Sequence, residues 1–105
     1  MTGSARDGNA ADEHAVAVSR DVEIVNKKGL HARASAKFVE TVARFRSEVT
    51  VTKGENSVSG RSIMGLMMLA ASMGSTVELA ADGPDAPDAI SALLALIAAK
   101  FHEDV

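Results

Sequence analysis

In the run Asn26-Lys27-Lys28-Gly29-Leu30-His31-Ala32-Arg33, a side chain able to act as a nucleophile stands where a strand-like pattern gives way to a helical one. An imidazole at a helix start faces the free N–H groups of the first turn, an arrangement already suited to phosphate. A nucleophilic nitrogen at that place could convert phosphate binding into covalent phosphate carrying. Arg33 adds a fixed positive charge two residues on. An ordinary imidazole, with a pKa of about 6.5, is already roughly 90% neutral near pH 7.5, so the helix dipole gains little by keeping the ring unprotonated. Its attraction for a captured phosphoryl group is the larger effect, about 0.3–2 kcal/mol. Charge-assisted hydrogen bonds from backbone N–H groups and Arg33 would add to it. The position favours holding the product over activating the nucleophile. The simpler alternative is an exposed or capping histidine, with Arg33 a solvated helix residue.

No rival constellation competes with this one. There is no cysteine, and the sequence shows no nucleophilic serine arrangement and no paired carboxylates. His14 and His102 fall in the terminal segments, and no cluster of His, Asp and Glu has ligand spacing, so neither a metal nor a cofactor is expected.

The elements that must position His31 follow from the pattern. Apart from Arg20, which falls in the same register, Val16, Val18, Val22 and Ile24 alternate with polar residues, as in a half-buried strand. Ala32 to Phe45 predicts a helix whose buried face carries Ala36, Val39, Val42 and Ala43. Glu48 to Thr52 predicts a second strand, Lys53-Gly54-Glu55-Asn56 a turn, and Ser57 to Ser59 a short returning strand. Ser62 to Ala71 is apolar nearly all round and predicts a short helix capped by Ser62. Thr76 to Ala81 alternates again. Asp82-Gly83-Pro84 turns the chain, and Asp85 is placed to cap a last helix with the stripe Ala86, Ile90, Leu93, Leu94, Ile97 and Phe101. The order strand, helix, strand, strand, helix, strand, helix predicts an α+β sandwich, with helices on one face of an antiparallel sheet.

The chain has 105 residues, enough for one domain, over residues 16–105. Residues 1–15 are small, polar and acidic, and predict a flexible tail. Aromatic residues make up only 3%, which excludes base-stacking platforms. The net charge of -3, with no basic block, excludes nucleic acid as a partner. No signal peptide precedes the first strand, and no apolar run approaches the ~20 residues of a membrane span. A soluble, monomeric cytoplasmic protein without membrane insertion is expected.

Gly29-Leu30-His31-Ala32-Arg33 resembles the active-site signature of the HPr family, the histidine-containing phosphocarriers of the bacterial phosphotransferase system. Arg61-Ser62-Ile63-Met64-Gly65, whose serine lies 31 residues after His31, is similar to that family's regulatory serine segment. The resemblance covers about Val18 to Phe101 and implies an open-faced sandwich of four antiparallel strands and three helices. It implies that His31 accepts phosphate on Nδ1 from phosphorylated enzyme I and passes it to an EIIA-type domain, with Arg33 stabilising the phosphoryl group. It also implies that HPr kinase/phosphorylase modifies Ser62 with ATP, and that Ile63, Met64 and Met67 form an apolar docking patch. From the residues alone, Ser62 could be a simple helix cap, and Met64, Met67 and Met68 could be core, although helical spacing cannot bury all three. A regulatory binding protein acting through Ser62 is the alternative reading, which an intact His31 and Arg33 oppose. A third is an anion-binding module without covalent chemistry. Ala34 stands where many members have proline. Glu40 and Ala43 stand where sugar-system members often carry lysines, which points toward a nitrogen-type or mannose-type branch.

Overall fold

The computed structural model describes residues 16–103. Residues 1–15, where the sequence predicts a tail, lie outside the described residues. The elements are β1 (Val16–Glu23), α1 (Ala32–Val42), β2 (Glu48–Lys53), β3 (Asn56–Ser59), α2 (Ile63–Met68), β4 (Thr76–Gly83) and α3 (Ala86–Ala98), with one further turn over Lys100–His102. This is the order expected from the sequence.

The strands form one antiparallel sheet in the order β1-β4-β2-β3. Alternation decides its faces. Val49 and Val51 on β2, with Val77, Leu79 and Ala81 on β4, are buried, while Glu48, Thr50, Glu78 and Asp82 on the other face are exposed. The buried strand residues join the helices' buried residues in one cluster, so the helices cover one face and leave the other to solvent. The open-faced sandwich is therefore as expected.

Details of the helices differ from the expectation. The buried residues of α1 are Ala34, Ser35, Phe38, Thr41 and Val42, whereas Ala36 is half-buried and Ala43 is exposed. Phe38, one of the largest fully buried side chains, fixes the rotation of α1, and Val39 packs only at the margin of the core. The helix ends at Val42 because the following amides tighten to carbonyls three residues back: Arg44 bonds Thr41 and Phe45 bonds Val42. On α3, Ala89 and Leu96 join the stripe and Leu94 is only partly buried. Phe101 is buried, but not as part of α3, because Lys100, Phe101 and His102 have φ of 57°, 55° and 58°. The chain has changed hand after the helix, and His102 lies in this turn.

Asp85 occupies the cap position of α3 without capping it. Its carboxylate instead accepts the Arg46 amide at 3.0 Å and the Ser47 hydroxyl at 2.6 Å, which ties the start of α3 to the segment after α1. No helix among the described residues is long and apolar enough to cross a membrane.

Candidate functional site

Three successive departures from regular structure bring the imidazole to the surface. Ile24 ends the β1 side of the sheet, Gly29 turns the chain with φ 64°, and His31 adopts extended geometry (φ -76°, ψ -177°) as the N-cap of α1. The His31 carbonyl accepts the Ser35 amide and so closes the first helical turn. The Ser35 hydroxyl donates to the Leu30 carbonyl at 3.1 Å, fixing the residue before the cap. The expectation of a capping ring at the helix start is met, and the side chain is 27% exposed.

The two ring nitrogens have different surroundings. Nδ1 accepts the Arg33 amide at 3.2 Å, while Nε2 lies 2.6 Å from Oε2 of Glu103. An Nδ1 that accepts must carry a lone pair, which assigns the ring proton to Nε2 and makes Nε2 the donor to the carboxylate. Asn26, fully buried, donates from Nδ2 to the same Glu103 oxygen at 2.7 Å and to the Gly29 carbonyl at 2.9 Å. Burial by itself pushes the Glu103 carboxyl up. Hydrogen bonds from His31 and Asn26, with the charge of Lys28, outweigh it and hold the carboxyl below its ordinary value.

Neither Asn26 nor Glu103 emerges from the sequence as a site residue. Asn26 reads there only as part of a turn, and Glu103 follows His31 by 72 residues with no local motif around it. Arg33 meets the ring through its backbone amide, and the residue is exposed. In this arrangement the guanidinium is not what touches the imidazole.

Ser62 is the N-cap of α2, and its Oγ accepts the Gly65 amide at 2.8 Å. Helix α2 is shorter than expected, ending at Met68, and Ala70 beyond it has a positive φ of 52°. Its inward face is narrow. Leu66 is buried, while Ile63, Met64, Met67 and Met68 are all exposed, Met64 by 71% and Met68 by 79%. All three methionines in question thus lie outside the core, and Met73 in the next loop is exposed as well. Lys28, Leu30 and His31 share an open depression of about 200 Å³ with Ala70, Ala71 and Ser72, so the imidazole and the end of α2 border one surface. A larger groove of about 580 Å³ between α1 and α3, lined in part by Lys37, Arg44 and His102, does not include His31.

These features can be set against known proteins. Residues 18–99 match the family model described as the PTS HPr component phosphorylation site. The phosphocarrier protein HPr of Neisseria meningitidis is 57% identical over 68 residues, covering 65% of this chain and 76% of the relative. HPr of Cupriavidus necator is 54% identical over 86 residues, covering 82% and 97%. The crystal structure of HPr from Thermoanaerobacter tengcongensis superimposes with a TM-score of 0.80 at 45% identity, over 84% of this chain and 99% of that one. Sequence and fold agree across nearly the same span, and the chain belongs to the HPr family, the phosphocarrier proteins of the phosphotransferase system.

Proposed function

We propose that His31 takes a phosphoryl group on Nδ1 from phosphorylated enzyme I and hands it to an EIIA-type domain. The chain is then a covalent intermediate and not a turnover enzyme. The observation that carries this reading is the division of labour between the ring nitrogens: Nε2 is engaged by Glu103, and the Nδ1 lone pair faces the first turn of α1. As that lone pair forms a bond to phosphorus, the bond from phosphorus to the donor breaks and its electron pair stays with enzyme I. The Arg33 amide, now bonded to Nδ1, is then free to meet a phosphoryl oxygen. The Ala32 and Ala34 amides, which helix geometry leaves without carbonyl partners, can do the same. The exposed Arg33 side chain supplies mobile positive charge to the departing or arriving group.

Ile63, Met64 and Met67 fit a docking patch for both partners, since methionine side chains adapt to differing surfaces. Ser62, at the head of the same helix, is the site for HPr kinase/phosphorylase. A phosphate there adds about two negative charges to the docking surface and repels partners that arrive carrying phosphate. One chain is the working unit, because His31, Arg33, Glu103 and Ser62 all come from it. With these partners the transfer would be a cytoplasmic reaction.

The test is intact-mass analysis after incubation with enzyme I and phosphoenolpyruvate. The expected product is a single acid-labile, base-stable phosphoryl adduct that is absent in His31→Ala and discharged when an EIIA domain is added. A wild-type chain that stays unmodified, or an adduct that survives His31→Ala, overturns the reading.

A further inference from the structure

We infer that Glu103 is a positioning residue for His31: its buried carboxylate holds the Nε2 proton, keeps the Nδ1 lone pair turned to the first turn of α1, and offsets the charge the ring acquires on phosphorylation. The inference rests on the reading of His31 as the phosphoryl acceptor. When Nδ1 bonds to phosphorus and Nε2 keeps its proton, no proton leaves and the ring becomes an imidazolium. A carboxylate 2.6 Å from that N–H stabilises the cation directly.

Two independent features show that the carboxylate is built into place. The first is its burial. The Glu103 side chain is only 6% exposed, its Oε1 has no partner among the described residues, and Asn26 anchors Oε2 from a second direction. A buried carboxylate with an unpaired oxygen is costly, and a surface position nearby would avoid that cost. The second is the backbone that delivers it. Lys100, Phe101 and His102 are consecutive left-handed residues, a conformation that L-residues adopt only under compensation. The compensation is visible: Phe101 is fully buried, and its carbonyl accepts Lys37 Nζ at 2.7 Å. Held strain that ends on a titratable contact to the nucleophile is the pattern of a functional constraint. The carboxylate does not touch phosphorus in this arrangement and acts through the ring.

The full chain, Glu103→Gln and Glu103→Ala are compared in two measurements. Nitrogen-15 NMR of the neutral imidazole needs no partner. It is expected to show Nε2 protonated in the wild type, with an N–H proton slowed in exchange with water, and to show that protection lost in Glu103→Ala. The initial rate of phosphoryl acceptance from phosphorylated enzyme I is expected to fall about tenfold in Glu103→Gln, which keeps the shape and an acceptor but not the charge. It should fall further in Glu103→Ala. Thermal unfolding of each variant establishes that it is folded, and the near-isosteric Gln variant keeps the test open if Ala is not. A Gln variant as fast as wild type, or a wild-type imidazole N–H that exchanges freely, overturns the inference while leaving the carrier reading intact. A wild type that is never phosphorylated overturns the carrier reading and this role of Glu103 with it, whatever the N–H signal shows.

Discussion

Leu30 donates its amide proton to the Ala71 carbonyl at 2.9 Å, joining the loop that presents His31 to the loop that follows α2. The contact needs close passage of two backbones, and Gly29 permits it. A Cβ on Gly29 would stand 2.4 Å from Ala71 O and 2.8 Å from Ser72 Cα. Both obstacles are main chain, which cannot rotate aside as a side chain would.

Gly29→Ala is therefore expected to cost about 2–5 kcal/mol, combining roughly 1–2 for the left-handed backbone with 1–3 for the displaced neighbour. Gly54→Ala separates the two causes. Gly54 has φ of 61° in the β2–β3 turn, yet a Cβ there meets nothing within 4 Å. It should cost only the backbone share, about 1–2 kcal/mol. Urea unfolding of both variants measures the difference, and equal losses would show that the Ala71 approach contributes nothing. The Gly29 variant should also accept phosphate more slowly, because its strain falls two residues before His31.

The parts of this fold legible in the sequence are those set by local periodicity and local chemistry. Alternating Val49, Val51, Val77 and Leu79 specify buried strands whatever their partners, and Ser62 at a strand-to-helix junction specifies a cap. His31 is legible for the same reason, since the cap position and the first-turn amides lie within a few residues of it. The rotation of α1 was not legible, because Ala36, Val39 and Ala43 are as apolar as Ala34, and only the space available to Phe38 decides between them. Asp85 shows the same limit: its spacing before α3 suits a cap, but the Ser47 hydroxyl and the Arg46 amide across the fold take the carboxylate. Glu103 was the least legible of all. Its contact with His31 depends on a left-handed turn that follows an apolar helix, and no short-range pattern announces that change of hand.

Asp85 gives a pH signature. The Ser47 hydroxyl bond lowers its carboxyl most, followed by the Arg46 amide; burial opposes them, and the Arg46 charge adds slightly in the lowering direction. The folded value therefore lies below the unfolded one, about 3.9 for an ordinary aspartate. A depressed carboxyl contributes its full stability above the unfolded value and loses it as pH falls through the folded value. Asp85→Asn should thus be less stable than wild type at neutral pH, with the gap narrowing from about pH 4 downward. Ser47→Ala, which removes the largest lowering contact, should likewise be less stable than wild type at neutral pH, with its gap closing over the same acid window. Denaturant unfolding from neutral to acid pH measures this, and a gap independent of pH would show that the carboxylate charge is immaterial. Glu103 is also lowered, so the comparison must be between Asp85 variants and not between pH values of the wild type alone.

Ser62 combines a structural duty with a proposed regulatory one, and two substitutions pull these apart. Its Oγ accepts the Gly65 amide, so Ser62→Ala leaves that helix-start donor without its cap and should cost about 0.5–2 kcal/mol. Aspartate caps as well as serine does, so Ser62→Asp should stay near wild-type stability while adding a negative charge at the head of the Met64 and Met67 surface. For phosphoryl transfer the order reverses. Ser62→Ala, although less stable, should transfer at close to the wild-type rate while it remains folded. Ser62→Asp, although stable, should be slowed, and more so at low ionic strength, where an exposed charge is least screened. Rates from enzyme I to the chain at two salt concentrations, set beside thermal unfolding of the same samples, give both readings. Equal slowing of the two variants would mean that Ser62 acts on transfer only through the integrity of α2, and the charge mechanism would be discarded.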